Sequence, residues 1–221
     1  YATIPALKDN AERYRQAALL AWGFLERHPG LYPEGGFIRP ADTKTGGYAD
    51  SPDLNDQDDR LWAAVELALT TSDPRFIQKL QRPDNPFLNE NFFQSESFSG
   101  QLRWENTVGF PFVQAAMQSV PGLESGQQKR IQQQFLGYCR QLVRRIQRDG
   151  FGVALDDYYW GSTGGALAFG QMLVFASQLA PQETGFLEAA IHQLHYVLGR
   201  NALDSSFVSG IGHRYPRAIH H

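Results

Sequence analysis

Cysteine occurs only once in this chain of 221 residues, at Cys139, which excludes an internal disulfide and any cysteine-rich metal site. No apolar run approaches the roughly 20 residues needed to span a bilayer, so a membrane segment is not expected. Charge is sparse: charged residues make up 19%, and 20 Lys and Arg against 23 Asp and Glu give a formal net charge of -3. No basic block is present, which argues against nucleic acid as a partner. Period-two alternation of apolar and polar residues is missing, and so is any internal repeat. A signal peptide is not visible, although Tyr1 is not a natural start and is compatible with a removed leader.

What is present reads as one mostly helical domain, long enough to bury a substantial core. Aromatic residues reach 13%, which suits either a large core or a surface on which a neutral ligand stacks. Apolar positions at three- and four-residue steps predict helices over about 6–28, 56–70, 105–118, 125–148, 162–179 and 184–198, with a short one near 74–81. In the first helix the expected stripe is Tyr14, Ala17, Ala18, Ala21, Trp22 and Leu25. In the last it is Leu187, Ala190, Ile191, Leu194 and Leu198, with Gly199 as the stop. Asn55 is the expected cap of the second helix, and Ser162 of the sixth. Asp56, Asp58 and Asp59 crowd the start of the second helix, where the helix dipole favours negative charge. The fifth carries Lys129, Arg130, Arg140, Arg144, Arg145 and Arg148 on one side, as a solvated face would. The sixth has no charge and a surface of Gly and Ala, which predicts burial between neighbours. Loops occupy 29–54 and 82–102. Charged-faced helices alternate with uncharged ones, which predicts an all-α arrangement of inner and outer helices, with inner ones near 56–70 and 162–179.

The residues after the last helix, Ser206 to His221, are small, turn-forming and rich in imidazole, unlike core sequence. Adjacent histidines in an extended loop point in opposite directions, so His220 and His221, with His213 behind them, do not favour a shared zinc. A purification tag is a rival explanation of the last two residues only. Asp156-Asp157 and the Asp56, Asp58, Asp59 group are the carboxylate clusters. Paired acids suit acid–base chemistry, but helix-start charge explains the second group more simply.

The tail, Ser206-x-Val208-Ser209-x-x-Gly212-x-Arg214 followed by Ile219-His220-His221, resembles the active-site histidine signature of glycoside hydrolase family 9, a cellulase family. Tyr196 to Ala202 resembles the lead-in to that loop, and Tyr159-Trp160-Gly161-Ser162 resembles the segment opening an inner helix. Thr45-Gly46-Gly47-Tyr48 and Asp58-Asp59-Arg60-Leu61-Trp62-Ala63-Ala64 resemble a further pair, so order and spacing agree over about 6–221. The resemblance implies part of an (α/α)6 barrel: a single partial catalytic domain over 1–221, the second half of the barrel without its first helices and closing helix. The family's base, in Asp-Ala-Gly-Asp, and its acid, in an Asn-Glu just past the histidine loop, do not occur here. Asn89-Glu90 lies far upstream, and the acid role is not carried to it. The family places an Arg directly after the second His, and this chain stops one residue short of it.

On this resemblance the complete domain is expected to cleave β-1,4-glucan with inversion, using two carboxylates about 6.5–9.5 Å apart. His220 is the expected ligand-contacting catalytic residue, a hydrogen-bond partner near the reacting sugar and not the proton donor. Trp160 with Tyr159 is the expected stacking platform, with a core role for Trp160 as the alternative. Arg214 and His221 either touch sugar or support the loop. No cofactor is required. Some family members hold calcium, and Asp58 is the candidate contributor here. A secreted or periplasmic location is expected, with the cytoplasm as the alternative, and the half-barrel's uncovered apolar faces predict self-association. Two other readings stand beside this one: a catalytically inactive carbohydrate-binding helical protein, and an unrelated helical toroid enzyme using Asp156 or Asp157. Endo or exo action, and β-glucan against chitooligosaccharide, stay open.

Overall fold

A computed structural model describes residues 4–30, 56–78, 93, 102, 107–159 and 161–218, and among these there are helices and no strand. A 3-10 turn at Pro5–Leu7 leads into α1 (Lys8–Arg27), followed by α2 (Gln57–Thr71), the one-turn α3 (Arg75–Gln78) and α4 (Gly109–Met117). Then come α5 (Ser125–Arg148), α6 (Ser162–Leu179) and α7 (Gly185–Val197). The helices fall close to the expected ranges. The loops expected at 29–54 and 82–102 lie almost wholly outside the described residues.

Two layers form. Helices α2, α4 and α6 pack side by side, with α4 in the middle, while α1, α5 and α7 lie against them. Phe112, Phe135 and Phe169, from α4, α5 and α6, fill the centre at 0%, 0% and 1% exposure. The expected solvated face of α5 is present: Lys129, Arg130, Arg140, Arg144, Arg145 and Arg148 are all exposed.

Side chains close the helix ends. Arg60 on α2 donates to the carbonyls of Leu25 and His28 at 2.8 Å each, while pairing with Asp56 at 2.7 Å. A guanidinium on the last carbonyls of α1 satisfies orphan acceptors and opposes the negative end of the helix dipole. Gln128 and Gln132 of α5 do the same for α4, donating to Ala115, Gln118 and Ala116 carbonyls. A capping box of Glu124 and Gln127 opens α5.

Two caps differ from the sequence reading. Asn55 lies outside the described residues. Asp56 holds the cap position of α2 without a side-chain cap bond, because its carboxylate is spent on Arg60. Ser162 is the first helical residue of α6, and Gly161 occupies the cap at φ 79°, a left-handed backbone that suits glycine.

The expected stripe of α7 is only in part a buried one. Leu187, Ile191, Leu194 and Leu198 are 51%, 43%, 46% and 37% exposed, while Phe186, Ala189, Ala190, Gln193, Tyr196 and Val197 are buried. The helix thus has apolar residues on two sides, and only one side meets α5 and α6. On α6, Leu167 and Val174 are likewise exposed, so that helix is not buried all round as its sequence suggests. In α1, Ala17, Ala18 and Ala21 are exposed, and only the Trp22 and Leu25 end of the stripe is partly covered. There Trp22 meets Phe76 edge-on at 5.6 Å.

Candidate functional site

Residues 149–159, between α5 and α6, include Tyr159, one of the two residues expected to form the platform. Asp149 shapes the turn: its Oδ1 accepts from the amides of Phe151 and Val153 at 2.9 and 3.1 Å. Gly152 sits at φ 69°, and a Cβ there would come within 2.6 Å of His192 Nδ1 and 2.7 Å of Arg200 Nη2. The left-handed backbone favours glycine here, and a Cβ would displace the ends of the His192 and Arg200 side chains. Gln193 of α7 holds it from inside, accepting from Ala154 N at 2.9 Å and donating to Gly152 O at 3.0 Å. Arg200 donates to Phe151 O at 3.0 Å, and Arg145 to Ala154 O at 3.0 Å.

This anchored stretch presents Tyr158, 58% exposed, and a half-buried Tyr159, whose carbonyl accepts from Ser162 N at 3.0 Å as α6 begins. Trp160 lies outside the described residues. Asp156 is exposed and pairs with Arg145 at 3.0 Å, and Asp157 accepts from the amide of Tyr158 at 2.8 Å. Both aspartates are thereby tied into local structure.

The loop after α7 is fastened to the same helix. Phe207 N donates to Val197 O at 2.8 Å, and the Phe207 ring meets Tyr196 at 5.8 Å. Buried Asn201 donates to the carbonyls of Tyr196 and Ser205 at 2.8 and 2.9 Å and accepts from Leu203 N at 3.0 Å. Ser206 N and Ser205 Oγ both donate to the carbonyl of Arg214, at 2.8 and 3.2 Å. The Arg214 side chain is 66% exposed, 3.6 Å from the carboxylate of Asp204. His220 and His221 lie outside the described residues. Tyr159 and Arg214 therefore sit on two segments anchored to one helix, α7. The sequence reading missed the anchors Gln193 and Asn201. A Gln at helical spacing among Phe186, Ala189, Ala190 and Val197 was the available signal.

Asp58 occupies a separate place, at the start of α2. Its Oδ2 accepts from Thr107 N at 2.7 Å and Thr107 Oγ1 at 3.2 Å, joining the N-terminal ends of α2 and α4. Asp59 accepts from the same hydroxyl at 3.2 Å. Burial and the neighbouring charges of Asp58 and Asp56 push the Asp59 carboxyl above its ordinary value, and the Thr107 bond pulls the other way. Calcium needs six to eight oxygen ligands. Among the described residues no group of three His, Cys, Asp or Glu side chains is placed to hold a metal ion. No helix among them is long and apolar enough to cross a membrane.

His192 lies behind the platform segment. Its Nδ1 is buried and has no hydrogen-bond partner among the described residues. Burial first, then the Arg200 and His195 charges, hold its pKa below the ordinary 6.5, with Glu188 opposing. A group with a lowered folded-state pKa stabilises above the unfolded value and loses that contribution as pH falls through the folded one. Melting temperature is therefore expected to drop as pH falls below about 6.5, and His192→Gln to flatten that drop. Equal slopes in both proteins would contradict this assignment.

Comparison with known proteins places this arrangement. The sequence pattern of the family described as "Glycosyl hydrolase family 9" matches residues 4–221. Endoglucanase D of Acetivibrio thermocellus is 27% identical over 211 residues, covering 95% of this chain and 31% of that protein. A cellodextrinase of Butyrivibrio fibrisolvens is 27% identical over 217 residues, 93% of this chain and 37% of that protein. The crystal structure of a metagenome-derived glycoside hydrolase family 9 endoglucanase matches 97% of this chain and 36% of its own, at 29% identity and a TM-score of 0.76. The chain spans about a third of the length of these relatives. The two helical layers are part of an (α/α)6 barrel.

Proposed function

Because the chain belongs to glycosyl hydrolase family 9, we propose that the complete protein hydrolyses β-1,4-glucan, cellulose or cello-oligosaccharides, with inversion at the cleaved carbon. The observation that carries this reading is the family match over residues 4–221, a range that takes in both anchored segments and the histidine loop. Relatives named endoglucanase and cellodextrinase support the substrate class.

In this reading the site divides into roles. Tyr159 and Trp160 stack on a sugar ring, since a neutral polysaccharide offers apolar ring faces and hydroxyls but no charge. His220 makes a hydrogen bond to the sugar where the bond is cleaved, and Arg214 and His221 contact the substrate or hold the loop. The general acid and base, two carboxylates with room for a water between them, come from parts of the domain other than these residues. The chemistry requires no cofactor, and calcium remains a structural option as in some family members. Action on the polymer requires a secreted enzyme, whereas cello-oligosaccharides are small enough to be cleaved in the periplasm or the cytoplasm.

The test is release of reducing ends from cello-oligosaccharides by the complete protein. A protein consisting of these 221 residues alone is expected to release none, because it holds neither carboxylate motif. It is also expected to self-associate through the exposed Leu187, Ile191, Leu194 and Leu198 edge of α7. A monomeric, stable and active 221-residue protein would refute the reading and favour a toroid enzyme using Asp156 or Asp157.

A further inference from the structure

We propose that Gln193 and Asn201 are positioning residues of the β-glucan site: two buried amides that fix, on one helix, the segment bearing Tyr158 and Tyr159 and the loop bearing Arg214. The inference rests on the functional reading above and deepens it.

Gln193 is 0% exposed, on the side of α7 that faces the core. A buried amide at such a position is costly unless its bonds are made, and an apolar side chain would fill the space without that cost. Its bonds are made: Oε1 accepts from Ala154 N at 2.9 Å, and Nε2 donates to Gly152 O at 3.0 Å. Both partners are main-chain groups of a segment outside any helix. The side chain thus serves as the hydrogen-bonding edge that secondary structure would otherwise supply. α6 makes room for it: a Cβ on Gly170 would stand 3.3 Å from Gln193 Cβ.

Asn201 repeats the device past the end of α7. It is 7% exposed, both its amide donation and its carbonyl are in use, and its partners Tyr196, Ser205 and Leu203 join the helix end to the loop. Ser206, 2% exposed, then ties the loop to the carbonyl of Arg214 at 2.8 Å. Arg200, between the two amides, donates to Phe151 O at 3.0 Å and reinforces the first anchor. One rigid element therefore sets the mutual placement of two segments that are distant in sequence. A site that stacks a sugar ring and hydrogen-bonds its hydroxyls needs that kind of support.

The experiment uses the complete protein with Gln193→Met, Asn201→Ala and the size-preserving Asn201→Asp. Each is assayed on cellopentaose and by amide hydrogen exchange. Gln193→Met is expected to raise KM about tenfold with kcat within about twofold, and to speed exchange at 152–154. Asn201→Ala is expected to lower kcat about tenfold with little change in KM, and to speed exchange at 203–208. Asn201→Asp keeps the bond from Leu203 N, loses the two donations, and should shift kcat the same way. The proposal is overturned by unchanged KM and kcat, or by equal loss of active enzyme in all variants with exchange accelerated uniformly along the chain. If the unsubstituted protein leaves cellopentaose intact, the β-glucan reading falls by itself. The exchange pattern then decides the clasp: local acceleration sustains it and uniform acceleration removes it.

Discussion

His220→Ala in the complete protein is expected to lower the turnover number by about a hundredfold or more, while raising the Michaelis constant far less. The reason is where the bond forms. An imidazole beside the reacting sugar gains most when the ring distorts toward the oxocarbenium-like transition state, where hydrogen bonds to its hydroxyls strengthen. An interaction made mainly in the transition state appears in kcat. Trp160→Ala is expected to do the reverse, because stacking on a ring face is felt in the ground state as much as in the transition state. It should raise KM by about tenfold with a smaller change in turnover. Steady-state kinetics on cello-oligosaccharides of defined length separate the two. Unchanged kinetics in both variants, with lowered thermal stability, would make the loop and Trp160 structural only.

Phe112→Ala is expected to cost about 3–5 kcal/mol of stability, the usual range for removing a fully buried aromatic side chain. Phe112 is 0% exposed on α4, the helix that lies between α2 and α6 and against α5. Its ring meets Phe93 edge-on at 5.7 Å, so the loss removes aromatic contact as well as buried area. Phe110, two residues away, is only partly buried and stacks on Trp62 at 4.5 Å. Phe110→Ala is therefore the control, with an expected cost well below that of Phe112→Ala. Urea denaturation followed by circular dichroism measures both. Equal costs would show that Phe112 carries no more of the packing than the half-buried Phe110 on the same helix.

The helices were legible because their apolar residues recur at helical spacing and few competing signals interrupt them. α5 and α6 begin and end where periodicity and breakers place them, at Ser125–Arg148 and Ser162–Leu179. Which apolar face is covered was not legible. Leu187, Ile191 and Leu194 form as regular a stripe as Phe186, Ala190 and Val197, and only the three-dimensional arrangement says which one meets α5 and α6. The caps failed for a related reason. Asp56 is a good cap residue by chemistry, but Arg60 competes for its carboxylate.

Of the site, the local pattern was readable and the anchoring was not. The tyrosines before α6 and the loop after α7 stood out by composition and by resemblance. The groups that hold them, Gln193 and Asn201, act through main-chain atoms that leave no mark in the partner's sequence. Gly152 is the exception, since its glycine is explained by the approach of His192 and Arg200.

The central claim is that the complete protein cleaves β-1,4-glucan by single displacement. Proton NMR of cellopentaose during the first minutes of hydrolysis tests it most directly, because the anomeric form of the new reducing end is visible before mutarotation equalises it. The account predicts α-anomer appearing first, as displacement by water on the opposite face requires. Appearance of β-anomer first, or no cleavage by the complete protein, would contradict it.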